Sequence, residues 1–213
     1  MNPNYSIQES PVKWYLYGLS ANPPTKAHYE IIKYFDSLNE QLTVFPCYRH
    51  PIKTNLIDFT HRVNMLNLMC SNFKNVHVST LEQNIQPNTT FELIVYLRSI
   101  VSLCHETLFV IVCDCYIMMD FLDLNRWNST DMLNQNDIQF CVIFNDNNDI
   151  ENDKKLINEH ENKRDTVIAF VVLESINESI RSTIARNDSQ RMPNIVPKCV
   201  YDYIVEHNIT FSN

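Results

Sequence analysis

Lys13-Trp14-Tyr15-Leu16-Tyr17-Gly18-Leu19-Ser20-Ala21-Asn22-Pro23-Pro24-Thr25-Lys26-Ala27-His28 decides the fold. Lys13 to Tyr17 reads as a strand that ends at Gly18. Thr25 to Leu38 reads as a helix: Pro23-Pro24 sets its start, Thr25 lies in the first turn, and Ile31, Ile32 and Phe35 form an apolar stripe. A strand–loop–helix junction aims free backbone N–H groups and the positive end of a helix at one point, which suits phosphate. Thr25 and His28 are three apart, so they share one face of that turn and can reach the same polyphosphate. Standing alone, the pair reads more readily as a capped helix with a chance histidine; its place beside the only glycine weakens that reading. The chain has 1 glycine, where average usage would give roughly 15. Gly18 therefore marks a need that the abundant asparagines do not meet, such as close approach of backbone to a ligand.

Outward from this junction the pattern repeats. Leu42 to Phe45 and Val76 to Val78 read as strands, and Phe59 to Cys70 and Thr90 to Leu103 as helices. Leu108 to Cys113, Phe140 to Phe144 and Val167 to Leu173 are continuous apolar runs, as in strands buried on both faces. Helical patterns follow, the last over Pro197 to His207. Asn145 to Asn152 reads as a mobile polar loop. Alternating strands and helices imply an α/β fold: a Rossmann-like parallel sheet with helices on both faces and a site beyond the strands' carboxyl ends. The expected organisation is a single domain over residues 1–213, with 1–11 a flexible tail.

Composition narrows the function. Of 213 residues, 45% are hydrophobic and 20% charged, an ordinary globular balance. With 17 basic against 25 acidic residues the net charge is -8, which speaks against nucleic acid as partner. An anionic small molecule then needs a local basic, amide-lined pocket. No apolar leader and no run long enough for a bilayer is seen, so the expectation is a cytoplasmic protein with no membrane partner. The 7 cysteines include no C-x-x-C pair and read as buried, reduced thiols rather than metal ligands. The histidines show no metal spacing, and no metal site is expected.

A second stretch carries chemistry. In Ile180-Arg181-Ser182-Thr183-Ile184-Ala185-Arg186, Ser182 and Thr183 suit a helix start and offer hydroxyls to an anion, and Arg186 returns to the same point one turn later. On their own these read as well as a cap and a solvated arginine.

Taken together, the motifs resemble those of the nicotinamide/nicotinate mononucleotide adenylyltransferases, within the wider HxGH nucleotidylyltransferase superfamily. Gly18 to His28 is similar to the G-x-F/S-x-N/D-P-x-H/T-x-x-H pattern, with Thr25 and His28 at the H/T and H positions and Leu19 where a second glycine is common. Ile180 to Arg186 resembles I-S-S-T-x-I-R, with Arg181 in place of the first Ser. Weaker likenesses lie between: the strand-end loop Phe45 to Lys53; Phe59, Arg62 and Met65 for F-x-x-R-x-x-M; and Pro87 to Leu93 for the stretch at the nicotinamide pocket. Asp114 resembles the Asp of G-x-D, with Val112 in the Gly place, and Trp127 the tryptophan near the pyridine ring. Asn194 to Ile204 is similar to the C-terminal V-P-x-x-V-x-x-Y-I helix.

The resemblance implies transfer of AMP from ATP to nicotinate or nicotinamide mononucleotide, giving deamido-NAD or NAD and pyrophosphate. It implies catalytic roles for Thr25, His28 and Arg186. ATP would be held by Gly18, Leu19, Ser20, Thr25, His28, Ser182, Thr183 and Arg186, with Mg²⁺ brought by the nucleotide. Ser20, Ala21, Asn22, Lys53, Thr89, Thr90, Asp114 and Trp127 would hold the mononucleotide. Plainer readings stand beside these: Asp114 as a helix cap, Lys53 as a solvated charge, Trp127 as a packed ring. A transferase of the same fold with another phosphorylated acceptor, a non-catalytic nucleotide sensor, and a homo-oligomer also remain open.

Overall fold

The six strand-like runs pair into one parallel sheet. β1 (Val12–Leu19), β2 (Leu42–Pro46), β3 (Val76–Val78), β4 (Thr107–Asp114), β5 (Ile138–Phe144) and β6 (Ile168–Val172) are ordered β3-β2-β1-β4-β5-β6. The computed structural model describes residues 11–50, 52–87, 89–101, 107–123, 129–145, 149–161, 166, 168–176 and 179–211. The tail at 1–10, Asn88, Leu103, Cys104, Trp127 and Val167 lie outside them.

Alternation along the central strands places the core. Val110 and Val112 of β4 join one buried cluster with Ile32 and Phe35 of α1 (Lys26–Ser37) and Met65 and Leu66 of α2 (Phe59–Cys70). Phe109, Ile111 and Cys113, one residue out of step, join the other cluster. There they meet Leu93, Ile94 and Leu97, which come from α4 (Thr90–Ile100) after the short α3 (Leu81–Ile85). The period of two thus sends successive side chains to opposite helical layers. This explains why these strands read as unbroken apolar runs.

After β4 come α5 (Cys115–Leu122), α6 (Ser129–Leu133) and, past β5, α7 (Ile150–Glu159). The expected loop over Asn145 to Asn152 is therefore shorter at its far end: Asp149 caps α7 by accepting from the Asn152 N–H at 3.4 Å. Polarity alone hid this start, because Asp at an N-cap and acids in a first turn look like loop residues in sequence.

The chain ends in α8 (Ser182–Asn187), α9 (Met192–Ile195) and α10 (Lys198–Glu206). Buried Tyr203 locks α10 to α2, where its hydroxyl accepts from Asn64 Nδ2 at 2.9 Å and lies 3.0 Å from His61 Nδ1. No described helix is long and apolar enough to cross a membrane. Among the described residues no disulfide joins the cysteines, and Cys70, Cys113, Cys115 and Cys141 are buried. Because β2 and β3 lie on one side of β1 while β4 to β6 lie on the other, the strand order reverses between β1 and β4. The crevice outside such a switch point is where open parallel sheets bind ligands.

Candidate nucleotide site

A cavity of about 480 Å³ opens at that point, within the range of small-molecule sites. Its wall includes Gly18, Leu19, Ser20, Thr25 and His28 from the β1–α1 junction, and Asp114 from the end of β4. Lys53, Thr90, Ser182 and Thr183 complete the part of the wall foreseen from sequence. Ala21, Asn22, Thr89 and Arg186 stand off the wall.

The junction explains its own glycine. A Cβ on Gly18 meets nothing within 4 Å, and the residue does not adopt a positive φ. Gly18 is therefore not required by the turn, and what a side chain would fill is cavity. The left-handed position belongs to Ala21, at φ 51°, a conformation that costs a non-glycine residue on the order of 1–2 kcal/mol and that tends to persist where function uses it. Asn22 is 2% exposed; its Nδ2 donates to the Asn55 carbonyl at 3.3 Å and its Oδ1 accepts from the Ile57 N–H at 3.2 Å. Its side chain thus ties the junction to the loop before α2. Gly18→Val is expected to leave stability within ~0.5 kcal/mol, as for a change away from packed neighbours. A nucleotide probe such as ATP should bind the variant at least ~10-fold more weakly, a loss of about 1.4 kcal/mol, read by calorimetry beside thermal melting.

His28 has a defined proton. The Thr25 N–H donates to its Nδ1 at 2.8 Å, and the Thr25 hydroxyl lies 2.9 Å from the same nitrogen. With Nδ1 accepting, the neutral ring carries its hydrogen on Nε2. Burial, helped by the Lys53 charge, lowers the His28 pKa to about 4. At neutral pH it is an uncharged donor.

The two sequence-distant motifs meet. Ser182 Oγ donates to the Pro23 carbonyl at 2.8 Å. Arg186 Nη1 donates to the Asn22 carbonyl at 2.7 Å, and its Nη2 to Thr183 Oγ1 at 3.2 Å. Ser182 and Thr183 open α8, but the N-cap position falls on Arg181, one residue earlier than the motif suggests. Across the cavity Lys53 Nζ donates to Ser20 Oγ at 3.2 Å. Asp114 caps α5, its plainer reading, accepting from the Ile117 N–H at 2.8 Å, and it also lines the cavity. Crowding by protein raises its pKa, opposed by the Ile117 N–H and the Arg181 charge. Thr89 caps α4, accepting from the Glu92 N–H at 3.3 Å, which leaves Thr90 on the wall.

Two residues had no site role in the sequence. Arg62 is 1% exposed and donates to the carbonyls of Ile57 (3.0 Å), Ser20 (2.9 Å), Cys47 (2.7 Å) and Tyr48 (3.3 Å). It binds together the loops after β1 and β2, which both form cavity wall. Glu82 is 8% exposed and also lines the cavity. The only sequence signal for Arg62 was its place in F-x-x-R-x-x-M; Glu82 had none. Among the described residues no three His, Cys, Asp or Glu side chains gather to hold a metal ion.

An open parallel sheet with side-chain donors gathered in the crevice at its switch point defines a doubly wound α/β protein. Among solved structures, the chain is similar to Plasmodium falciparum nicotinic acid mononucleotide adenylyltransferase in complex with NaAD: TM-score 0.74, 18% identity, 92% of this chain and 96% of that one covered. The same enzyme in complex with APC gives a TM-score of 0.72 at 17% identity, again covering 92% of this chain and 96% of that one. The fold is thus the one these adenylyltransferases have. No protein-family model and no curated protein matches the sequence.

Proposed function

We propose that this protein transfers AMP from ATP to nicotinate or nicotinamide mononucleotide, releasing pyrophosphate, a step of pyridine dinucleotide synthesis in the cytoplasm. The observation that carries the reading is the meeting of two motifs. Arg186 and Ser182 grip the carbonyls of Asn22 and Pro23 beside Thr25 and His28, at the switch point of a sheet folded as in the adenylyltransferases.

The acceptor's 5′-phosphate oxygen attacks the α-phosphorus of ATP, a new P–O bond forms, and the bond to the β-phosphate bridging oxygen breaks. The attacking oxygen is already an anion, so no base is needed, and the protein works by positioning and charge stabilisation. His28 Nε2–H, as a neutral donor, holds phosphate oxygens beside the Thr25 hydroxyl and the start of α1. Ser182 and Thr183 receive the β- and γ-phosphates. Arg186 keeps α8 against the junction and adds positive charge to the departing pyrophosphate. Lys53 and Ser20 face the incoming phosphate, with Asp114 and Thr90 toward the mononucleotide. Mg²⁺ enters as part of the substrate, held by phosphate oxygens and water. The donors fit that arrangement, with Asp114 as the exposed carboxylate at the cavity.

Arg186→Ala is expected to lower turnover by at least ~10²-fold, in the range for loss of one charge-stabilising donor. The assay is mononucleotide-dependent pyrophosphate release from ATP. Near-wild-type turnover would remove Arg186 from the machinery.

A further inference from the structure

Glu82 is a buried carboxyl without a bonded cation. Its Oε2 accepts from the Tyr48 N–H at 2.9 Å, and among the described residues no hydrogen bond reaches its other oxygen. Arg62, whose charge acts on it, spends its guanidinium on four carbonyls. A carboxyl taken out of water in this way is costly unless it is neutral or a partner arrives. Among the described residues no second contact answers the need, yet Glu82 is cavity wall, as are Phe45, Thr90 and Leu93.

Which ligand group arrives follows from topology, given the proposed function. Ser182 and Thr183 follow β6, so the triphosphate they hold, and the adenosine tied to it, fall on the β5–β6 side, near Ile143, Ile176 and Ile180. The acceptor is left the rest of the wall, from Asp114 at the end of β4 past Lys53 to Thr90 and Glu82. That wall offers apolar surface to an aromatic ring, together with the Glu82 carboxyl.

We propose that Glu82 reads the ring substituent of the pyridine acceptor: as carboxylate it accepts an N–H of a carboxamide, and as carboxylic acid it donates to a ring carboxylate. This rests on the proposed function.

The switch lies at a useful pH. Burial raises the Glu82 pKa, against the Tyr48 N–H and Arg62, to about 7. Three other groups at this end stay fixed near neutrality. His50 is lowered to about 4 by burial and by the Lys53 and Arg62 charges. Burial pushes the Cys47 thiol up. Arg62 keeps its proton. Burial lowers the Lys53 pKa, opposed by the Cys47 thiol. From α4 the wall receives Thr90 and Leu93, neither ionisable.

The test measures the Kd of each mononucleotide by calorimetry at about pH 6 and about pH 8, with Mg²⁺ and α,β-methylene-ATP present. Wild type is compared with Glu82→Gln, which keeps an acceptor for Tyr48. In wild type the ratio of nicotinate to nicotinamide Kd should rise ~10-fold or more across that interval, as expected for a group titrating near 7. In the variant it should stay within ~2-fold. A flat ratio in wild type, or an equal rise in both proteins, overturns the assignment. The acceptor's phosphate titrates identically in both ligands and cancels. Pyrophosphate release, run in parallel, separates the two claims. A pH-dependent ratio without turnover keeps Glu82 as the reader and removes the reaction. Turnover with a flat ratio does the reverse. Binding of neither mononucleotide removes both.

Discussion

His28→Ala is expected to lose at least ~10²-fold in turnover in the proposed reaction while the folded protein still melts cooperatively. The magnitude is that of removing one preorganised donor from a site where charge develops. The reason lies in the proton's position. Because the Thr25 N–H holds Nδ1, Nε2–H is the group the proposed reaction has for a phosphate oxygen, and alanine supplies no such donor. His28→Asn, which can place an N–H nearby, should recover part of the loss; His28→Gln is the second variant to compare. Since the ring's pKa lies at about 4, wild-type turnover should show no histidine titration from this residue between about pH 6 and 8. Its stability signature has a definite sign. Between about 4 and the ordinary histidine value of about 6.5, the unfolded chain binds more protons than the native one. Stability from this group therefore falls as the pH drops through that window. His28→Ala removes this part of the acid sensitivity, which urea titrations at both ends of the window can read.

Arg62→Met carries the second large effect, on folding. Methionine fills comparable space with an apolar chain but donates nothing to Ile57, Ser20, Cys47 and Tyr48, whose carbonyls now share one guanidinium. A buried acceptor left unsatisfied costs about 1–3 kcal/mol. Water entering from the cavity can serve some of the four, so a net loss of at least ~3 kcal/mol is expected. At about 2–4 °C per kcal/mol for a domain of this size, Tm falls by roughly 6–12 °C. Arg62→Lys should recover little, because one ammonium cannot span carbonyls that a planar fork reaches. A melt within ~2 °C of wild type would show that the loops after β1 and β2 hold their places by other means.

Much of this was legible in the sequence. All six strands stood out; in β4 and β5 the reason is burial on two faces, which leaves long apolar runs. The β1–α1 junction announced itself through Gly18, the Pro23-Pro24 pair and the Thr25–His28 spacing. What the sequence could not show was why these residues are there. Gly18 looked like a residue for close backbone approach; the structure adds that its missing side chain leaves open cavity and that Ala21 takes the left-handed turn. Asn22 looked like a ligand contact, while its side chain is engaged by Asn55 and Ile57. Arg186 looked like a phosphate ligand; in the structure it stands off the cavity wall and clamps the Asn22 carbonyl of the far motif. Glu82 was invisible, because nothing local marks a glutamate as buried. Its environment is made by Tyr48, 34 positions earlier, and by Arg62. Local pattern reports periodicity and capping; it does not report which carbonyls or carboxyls a folded chain brings together.

The most direct measurement is chromatography with mass detection of the products formed from ATP, Mg²⁺ and either nicotinate or nicotinamide mononucleotide. Stoichiometric dinucleotide and pyrophosphate in at least one of the two mixtures is the expected result. Folded protein that binds ATP yet forms no dinucleotide in either mixture would contradict it.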